Sequence, residues 1–197
     1  AIRSTQQLFK PHVRFPAKGE CLVHKDILYG EHSRHRLDIF SDGDVETSKP
    51  VVIFVHGGGF VAGDKGTELD DYYANIGLWC VSQGYVGVVF NYRLAPAAVW
   101  PAVNEDIDAM LTWLHSHIGR YGGAAHLVSW ISGWQQVCPQ LRGLILCSGL
   151  YDITAIEPQP TEREIAYFGE DQCTYKEKLN IEKFVSLQLN SLFTVSE

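Results

Sequence analysis

The sequence predicts an α/β fold with a mostly parallel, doubly wound sheet. Residues 51–55 are five consecutive β-branched or aromatic residues, a run typical of a strand buried on both faces inside a parallel sheet. From residue 51 to residue 121 the pattern alternates strand, helix, strand, helix, which favours parallel pairing. A chain of 197 residues can bury a sizeable core, and we predict a single domain over residues 1–197.

Two strands are predicted before this central strand. Residues 21–29 and 35–40 have the character of strands, and a short polar turn around residues 30–33 separates them. An antiparallel hairpin is therefore expected, so the sheet is parallel only in its later part. The basic, aperiodic residues 1–19 are predicted to form an N-terminal arm or a lid over a site.

The segments after the central strand continue the alternation and then break it. Hydrophobic periodicity predicts helices at 67–82 and 101–121, ended by Gly84 and Gly122, with a buried strand at 85–90 between them. Residues 124–131 have helical character where a strand is due. Further elements are expected as strands at 141–147 and 191–195, and as short helices at 161–168 and 175–185 within an irregular, cap-like segment over 151–190.

Composition excludes several classes of partner. The net charge of −7 argues against nucleic acid and anionic membrane surfaces, because both select for basic protein surfaces. No apolar run approaches the length of a membrane span. Five widely spaced cysteines predict free thiols in a reducing compartment, and hence a cytoplasmic protein.

Three glycines directly after the central strand are the strongest sign of chemistry. Gly57, Gly58 and Gly59 carry no side chain to cover their backbone N–H groups, and they follow the carboxyl end of a strand, where α/β proteins bind ligands. Donors held there can stabilise negative charge on an oxygen. His56 is expected to orient this loop by hydrogen bonding. A turn that only reverses the chain is the alternative.

Three stretches of the sequence together resemble one known family. They are residues 56–60 (His-Gly-Gly-Gly-Phe), residues 91–102 with Asn-Tyr-Arg-Leu-Ala-Pro and Trp-Pro-Ala, and residues 141–152 with Ser-Gly and Tyr-Asp. In this order they resemble the hormone-sensitive-lipase-like branch of the α/β-hydrolases, which includes carboxylesterases and is close to the aryl formamidases.

The resemblance implies an α/β-hydrolase fold and a site without metal or cofactor. The N–H groups of Gly58 and Gly59 would form an oxyanion hole, and Gly57 and Phe60 would contact a small-molecule ester or amide substrate. Hydrolysis in this family uses a serine nucleophile that forms an acyl-enzyme. The pair Arg93 and Asp106 is expected to be structural, since buried charges are usually paired for structural reasons.

The sequence departs from the family at the nucleophile. No Gly-x-Ser-x-Gly elbow occurs in it, and a strand plus the elbow are expected to be absent between Gly123 and Ala124. The acid and histidine of the triad would lie beyond Glu197. The chain therefore retains only the oxyanion hole of an ester hydrolase, and we predict that these 197 residues alone have no serine-based esterase activity. The nearest serines are expected to be ordinary hydroxyls: Ser129, Ser132 and Ser148.

Two other functions stay open at this stage. The first is a non-catalytic protein that binds a small carboxylate on a hydrolase scaffold, as in the plant gibberellin receptors that the scaffold also resembles. The second is an aryl formamidase, although Phe60 after the glycines favours an esterase. The paired histidines at 32 and 35 and at 115 and 117 lack acidic or cysteine partners at ligand spacing. They are expected to be solvated surface residues, not metal ligands.

Overall fold

A computed structural model describes residues 20–66, 73–125 and 160–171. They contain a four-stranded sheet in the order β1-β2-β4-β3. The strands are β1 (Leu22–Leu28), β2 (Arg36–Ser41), β3 (Val51–Val55) and β4 (Val86–Phe90). The helices are α1 (Ala74–Ser82), α2 (Ala102–His117), which continues into a 3₁₀ turn at Ile118–Tyr121, and α3 (Glu162–Phe168).

The described sheet is mixed. β1 and β2 form the predicted antiparallel hairpin, with a register shift around Asp26, whose φ of 57° is left-handed. β2 also runs antiparallel to β4. β3 pairs with β4 in parallel over its full length, from Val51 opposite Val86 to Val55 opposite Phe90. The carboxyl ends of β3 and β4 therefore lie at the same edge of the sheet, where the sequence predicts a ligand site.

α1 and α2 lie within the helices that apolar periodicity predicts at 67–82 and 101–121, and α3 lies within the short helix expected at 161–168. α2 buries one face through Ile107, Met110 and Leu114, and Gly122 ends its 3₁₀ extension with a left-handed φ of 80°. α3 begins with a capping box between Thr161 and Glu164. The predicted strands at 141–147 and 191–195 and the helix at 175–185 lie outside the described residues.

Burial of the two parallel strands corrects one expectation. β4 is buried at every position, but the side chains of Val51–Phe54 in β3 are only half-buried, and Val55 is 40% exposed. The sequence predicted β3 to be covered on both faces. β3 is the last strand of the described sheet, so the layers around it cover it less completely than they cover β4. No helix in the described ranges is long and apolar enough to cross a membrane.

α1 packs on the sheet at unusually close range. A Cβ built at Gly77 in α1 would lie 2.2 Å from the ring of Phe40, and one at Gly87 in β4 would lie 2.9 Å from the Cα of Gly77. Neither position has room for a methyl group, because real Cβ atoms do not approach other heavy atoms so closely. The two glycines therefore set the spacing between helix and sheet.

We expect Gly77→Ala to lower the free energy of unfolding. The extra methyl would force Phe40 or α1 to move, at about 1–3 kcal/mol, which exceeds the helix-propensity gain of about 1 kcal/mol. Gly119→Ala is the matched control, because no atom lies within 4 Å of a Cβ there. Urea unfolding of both variants measures the difference, and equal stability of the two would contradict the packing argument.

Candidate active site at the glycine loop

The candidate site is the glycine loop, which we define as residues 56–66. It leaves the carboxyl end of β3, beside the point where Asn91 and Tyr92 leave β4. Gly57 is exposed there, whereas Gly58, Gly59 and Phe60 are partly exposed. The predicted glycine motif therefore lies at the sheet edge where parallel strands end, the position of ligand sites in α/β proteins.

The backbone of this loop requires glycine at residue 58. Gly58 has a φ of 131°, and a Cβ there would lie 1.9 Å from the carbonyl oxygen of Ala62. The carbonyl oxygen of Gly58 itself accepts hydrogen bonds from the N–H groups of Val61 (3.3 Å) and Ala62 (3.2 Å), and these two bonds close the turn. Gly59 (φ 61°) and Phe60 (φ 63°) are both left-handed. The chain is thus coiled tightly around the first glycines.

Two backbone donors of this turn have no hydrogen-bond acceptor in the described part of the chain. Among the described residues, neither the N–H of Gly58 nor that of Gly59 donates a hydrogen bond, although their neighbours Val61 and Ala62 do. Buried or half-buried backbone donors are nearly always satisfied in folded proteins. Free donors at a ligand-binding edge are therefore suited to an acceptor oxygen from outside the chain.

His56 supports the start of the loop. Its side chain is buried and stacks on Tyr92, with ring centroids 4.3 Å apart. Nδ1 lies 2.9 Å from the Gly57 carbonyl oxygen, which can only accept, so Nδ1 carries the proton and donates. Burial lowers the pKa of His56. The Tyr92 hydroxyl donates to the His56 carbonyl oxygen at 2.7 Å. The geometry agrees with the expectation that His56 orients the loop.

A buried lysine holds the far end of the loop. Lys65 is 4% exposed, and its Nζ lies 2.6 Å from Oδ1 of Asp38 in β2 and 2.9 Å from Oδ1 of Asp26. The hydrogen bond to Lys65 lowers the pKa of Asp26. The Lys65 backbone N–H also donates to Oδ1 of Asn91, at 2.6 Å. This residue therefore connects the loop to β2 and to the end of β4.

Arg34 adds a second connection. Its Nε donates to the Tyr92 carbonyl oxygen (2.7 Å) and its Nη2 to the Gly63 carbonyl oxygen (2.8 Å). Nη1 lies 3.5 Å from a carboxylate oxygen of Asp64, which also accepts from Asn91 Nδ2 at 2.8 Å. The loop is consequently fixed at both ends by side chains from the hairpin and from the residues after β4.

Sequence reasoning missed Arg34, Lys65 and Asp38. One signal was available, because Asp38 stands between Leu37 and Ile39 in a strand that is otherwise apolar. A carboxylate in such a strand requires a cation or donors when it is buried. The position of that cation, 27 residues further along the chain, carries no comparable signal.

The predicted pair of Arg93 and Asp106 is present. Arg93 Nε lies 2.7 Å from Oδ1 of Asp106, and the backbone N–H of Arg93 donates to Oδ2 at 2.6 Å. Asp106 also lies 3.0 Å from Nε2 of His35, whose side chain is 13% exposed. The expectation that His35 is a solvated surface histidine is therefore wrong, since it packs against a buried carboxylate.

The remaining histidine predictions concern metal binding. Nδ1 of His117 lies 2.7 Å from the Trp113 carbonyl oxygen, and the two rings stack at 4.5 Å. Within ranges 20–66, 73–125 and 160–171 no group of three or more His, Cys, Asp or Glu side chains is placed to hold a metal ion.

Ser129, Ser132 and Ser148, the serines considered in the sequence, lie outside the described residues.

α3, from the predicted cap-like segment, forms one wall of the site. Phe60 stacks on Tyr167 with centroids 4.5 Å apart and meets Phe168 edge-on at 5.8 Å. The Tyr167 hydroxyl accepts from the Val103 N–H, and the Tyr167 carbonyl oxygen accepts from the Trp100 N–H. The Phe60 side chain, predicted to contact substrate, thus packs between the loop and α3.

Comparison with solved structures shows the class of fold. The chain has the fold of the α/β-hydrolases. It is similar to the crystal structure of esterase B from Lactobacillus rhamnosis, with a TM-score of 0.52 and 23% sequence identity. The superposed region is 62% of this chain and 38% of the esterase. Residues 37–133 match the BD-FAE family model. That match contains β2 except for its first residue, all of β3 and β4, and the whole glycine loop.

Similar curated proteins include esterases and formamidases. The chain is 31% identical over 111 residues to the probable carboxylic ester hydrolase LipM of Mycobacterium tuberculosis, covering 55% of this chain and 25% of LipM. It is 28% identical over 166 residues to the kynurenine formamidase of Danio rerio, covering 72% of this chain and 53% of that enzyme. The chain thus spans between a quarter and about half of the length of these relatives.

We expect Lys65→Met to destabilise the fold strongly, because it leaves Asp38 buried without its cation. The loss of unfolding free energy should be about 3–5 kcal/mol. Lys49→Met is the control: Lys49 is also largely buried, but its partners Asp42 and Asp44 are 37% and 44% exposed and stay hydrated without it, so a much smaller loss is expected. Urea unfolding of both variants gives the comparison. A similar loss in both would show that burial of the Lys65 pair is unimportant.

His56 is expected to make stability depend on pH. Its folded-state pKa lies below the unfolded value of about 6.5, so the unfolded state binds the proton more readily. Its contribution is therefore complete above pH 6.5 and is lost as the pH falls toward the folded pKa. His56→Asn should lose less stability than the wild type between pH 7 and pH 5, whereas a variant of the exposed His115 should behave like the wild type. An unchanged pH dependence in His56→Asn would contradict this.

Proposed function

We propose that the glycine loop is the oxyanion hole of a hydrolase of small carboxylic esters, in the hormone-sensitive-lipase-like branch of the α/β-hydrolases. The observation that carries the proposal is the pair of free N–H groups at Gly58 and Gly59, at the end of the parallel strand β3. The similarity to esterases such as LipM supports it. Free thiols at Cys21 and Cys80 agree with a cytoplasmic protein.

The proposed chemistry is acyl transfer. When a serine attacks an ester carbonyl, the carbonyl oxygen becomes negatively charged, and donors fixed in advance stabilise that charge without reorganisation. Gly58 and Gly59 would donate to this oxygen. The closed turn at Val61 and Ala62 and the anchors at Lys65 and Arg34 would keep these donors in place before the substrate arrives.

The nucleophile would belong to a segment that this chain lacks between Gly123 and Ala124. Gly123 forms a parallel bridge with Lys49, and the Ala124 N–H donates to the Lys49 carbonyl oxygen at 2.8 Å, just before β3 begins. The chain therefore reaches the edge of β3 that no described strand occupies. A strand continuing from Gly123 along that edge would end beside the glycine loop, where the elbow serine is needed.

The formamidase alignment also supports a missing segment. It runs over 166 residues, which is more than the 72% of this chain that it covers. The formamidase therefore has residues within the aligned region for which this chain has no counterpart. An absent elbow between Gly123 and Ala124 would account for part of this difference.

Hydrolysis of an aryl formamide is a second candidate function. The kynurenine formamidases of Danio rerio and Salmo salar cover 72% and 76% of this chain, more than the 55% that LipM covers. The same oxyanion hole serves both reactions, because an amide and an ester form the same type of tetrahedral intermediate. The two functions differ in the leaving group, which the glycine loop does not contact.

We expect the 197-residue chain to give no stoichiometric burst of nitrophenolate from p-nitrophenyl butyrate, because no elbow serine is present to form an acyl-enzyme. Protein isolated from its natural source is expected to be heavier than 22.1 kDa and to yield a Gly-x-Ser-x-Gly peptide between Gly123 and Ala124. A source protein whose peptide runs directly from Gly123 to Ala124, or a burst from the short chain, would overturn the proposal.

In that source protein, Gly58→Ala should lower kcat by about a hundredfold or more. A Cβ there would lie 1.9 Å from the Ala62 carbonyl oxygen, so the loop would have to move and its N–H donors would leave the position of the oxyanion. Gly84→Ala is the control, since it also has a positive φ but meets no atom within 4 Å and lies outside the site. The ratio of kcat/KM for a phenyl ester to that for an N-formyl arylamine then separates esterase from formamidase. A ratio below one would favour the formamidase.

A further inference from the structure

An arginine of α3 lies over the glycine loop. The atoms nearest to a Cβ built at Gly59 are Cδ of Arg163, at 3.4 Å, and Cβ of Arg163, at 3.9 Å. The aliphatic part of the Arg163 side chain therefore covers Gly59 on the side where a Cβ would project. The guanidinium group is bonded to Cδ, so its charge is held at the margin of the loop.

Arg163 differs from the other arginines near the site. Arg34 and Arg93 are engaged by carbonyl oxygens and carboxylates, whereas no carboxylate among the described residues pairs with Arg163, which is exposed. Glu164 beside it is occupied by the capping box with Thr161. A guanidinium without an internal acceptor is free to bind a planar anion in two-point geometry.

The position of Arg163 is fixed by packing around it. Tyr167 lies one helical turn further along α3 and stacks on Phe60, and its hydroxyl accepts from the Val103 N–H at 3.1 Å. Burial raises the pKa of Tyr167 to about 12. α3 is thus attached both to the glycine loop and to the start of α2, so the backbone that carries Arg163 is held beside Gly59.

We propose that Arg163 binds a carboxylate on the substrate, so that the preferred ligands are esters or amides bearing a second, anionic carboxylate close to the reacting carbonyl. The substrate's reacting carbonyl oxygen would then be bound by the N–H groups of Gly58 and Gly59, and its carboxylate would be bound beside it by Arg163. The proposal rests on the proposed function for the first of these points. Binding of the carboxylate depends only on the Arg163 guanidinium of this chain, so it can be measured without a catalytic nucleophile.

The test is a binding titration of the purified chain, in which changes in the amide NMR spectrum report binding. Monomethyl glutarate carries an ester and a free carboxylate, and dimethyl glutarate is its neutral counterpart. We expect the monoester to bind about tenfold more tightly than the diester, and 0.5 M NaCl to weaken only the monoester. Arg163→Gln should remove the preference and leave the diester unchanged, and Arg163→Lys should keep part of it.

Arg120→Gln is the matched control, because Arg120 is also exposed and has no carboxylate partner in the described part of the chain. It should retain the full preference. A wild type without preference, a preference that survives in Arg163→Gln, or one that Arg120→Gln also loses would overturn the assignment.

The two proposals fail in different ways. Diester binding without a preference for the monoester, together with hydrolysis by the source protein, would remove the role of Arg163 and keep the oxyanion hole. A preference that depends on Arg163, with no hydrolysis by the source protein, would keep the carboxylate site and remove the hydrolase.

Discussion

The buried ion pair between Lys65 and Asp38 is the interaction on which the site depends. Its atoms lie 2.6 Å apart, and both side chains are almost completely excluded from water. A pair of this kind contributes little net stability over apolar side chains, but losing one partner is costly. Its effect here is positional, because it fixes the end of the glycine loop against β2 while Arg34 fixes Gly63.

A second constraint acts at the start of the loop. Gly58 and Gly59 adopt left-handed backbone conformations, and the turn that follows closes on the Gly58 carbonyl oxygen. Since their own N–H groups receive no acceptor from the described residues, the loop keeps two donors free at the end of β3. Rigid anchoring and free donors together are what electrostatic preorganisation requires. α3 then adds a wall through Phe60 and Tyr167.

Much of this arrangement could be predicted from local sequence patterns. An apolar run located β4, hydrophobic periodicity located α1 and α2, and the glycines located the loop, because these signals depend on neighbouring residues. The half-buried state of β3, the contact of His35 with Asp106 and the pairing of Lys65 with Asp38 were not predictable in this way. Each depends on residues distant in sequence, and a lysine carries no local mark of burial. Asp38 within an apolar strand was the one available indication.

The most direct test of the account is an NMR titration of the backbone amides with butylphosphonate, whose oxygens resemble the charged oxygen of a tetrahedral intermediate. Assigned amide resonances report which N–H groups meet the anion. We predict saturable downfield shifts of the Gly58 and Gly59 amide protons, with much smaller shifts at Gly84 and Gly119. Shifts confined to residues outside the glycine loop, or no saturable shift at Gly58 and Gly59, would contradict the assignment of these donors as an oxyanion hole.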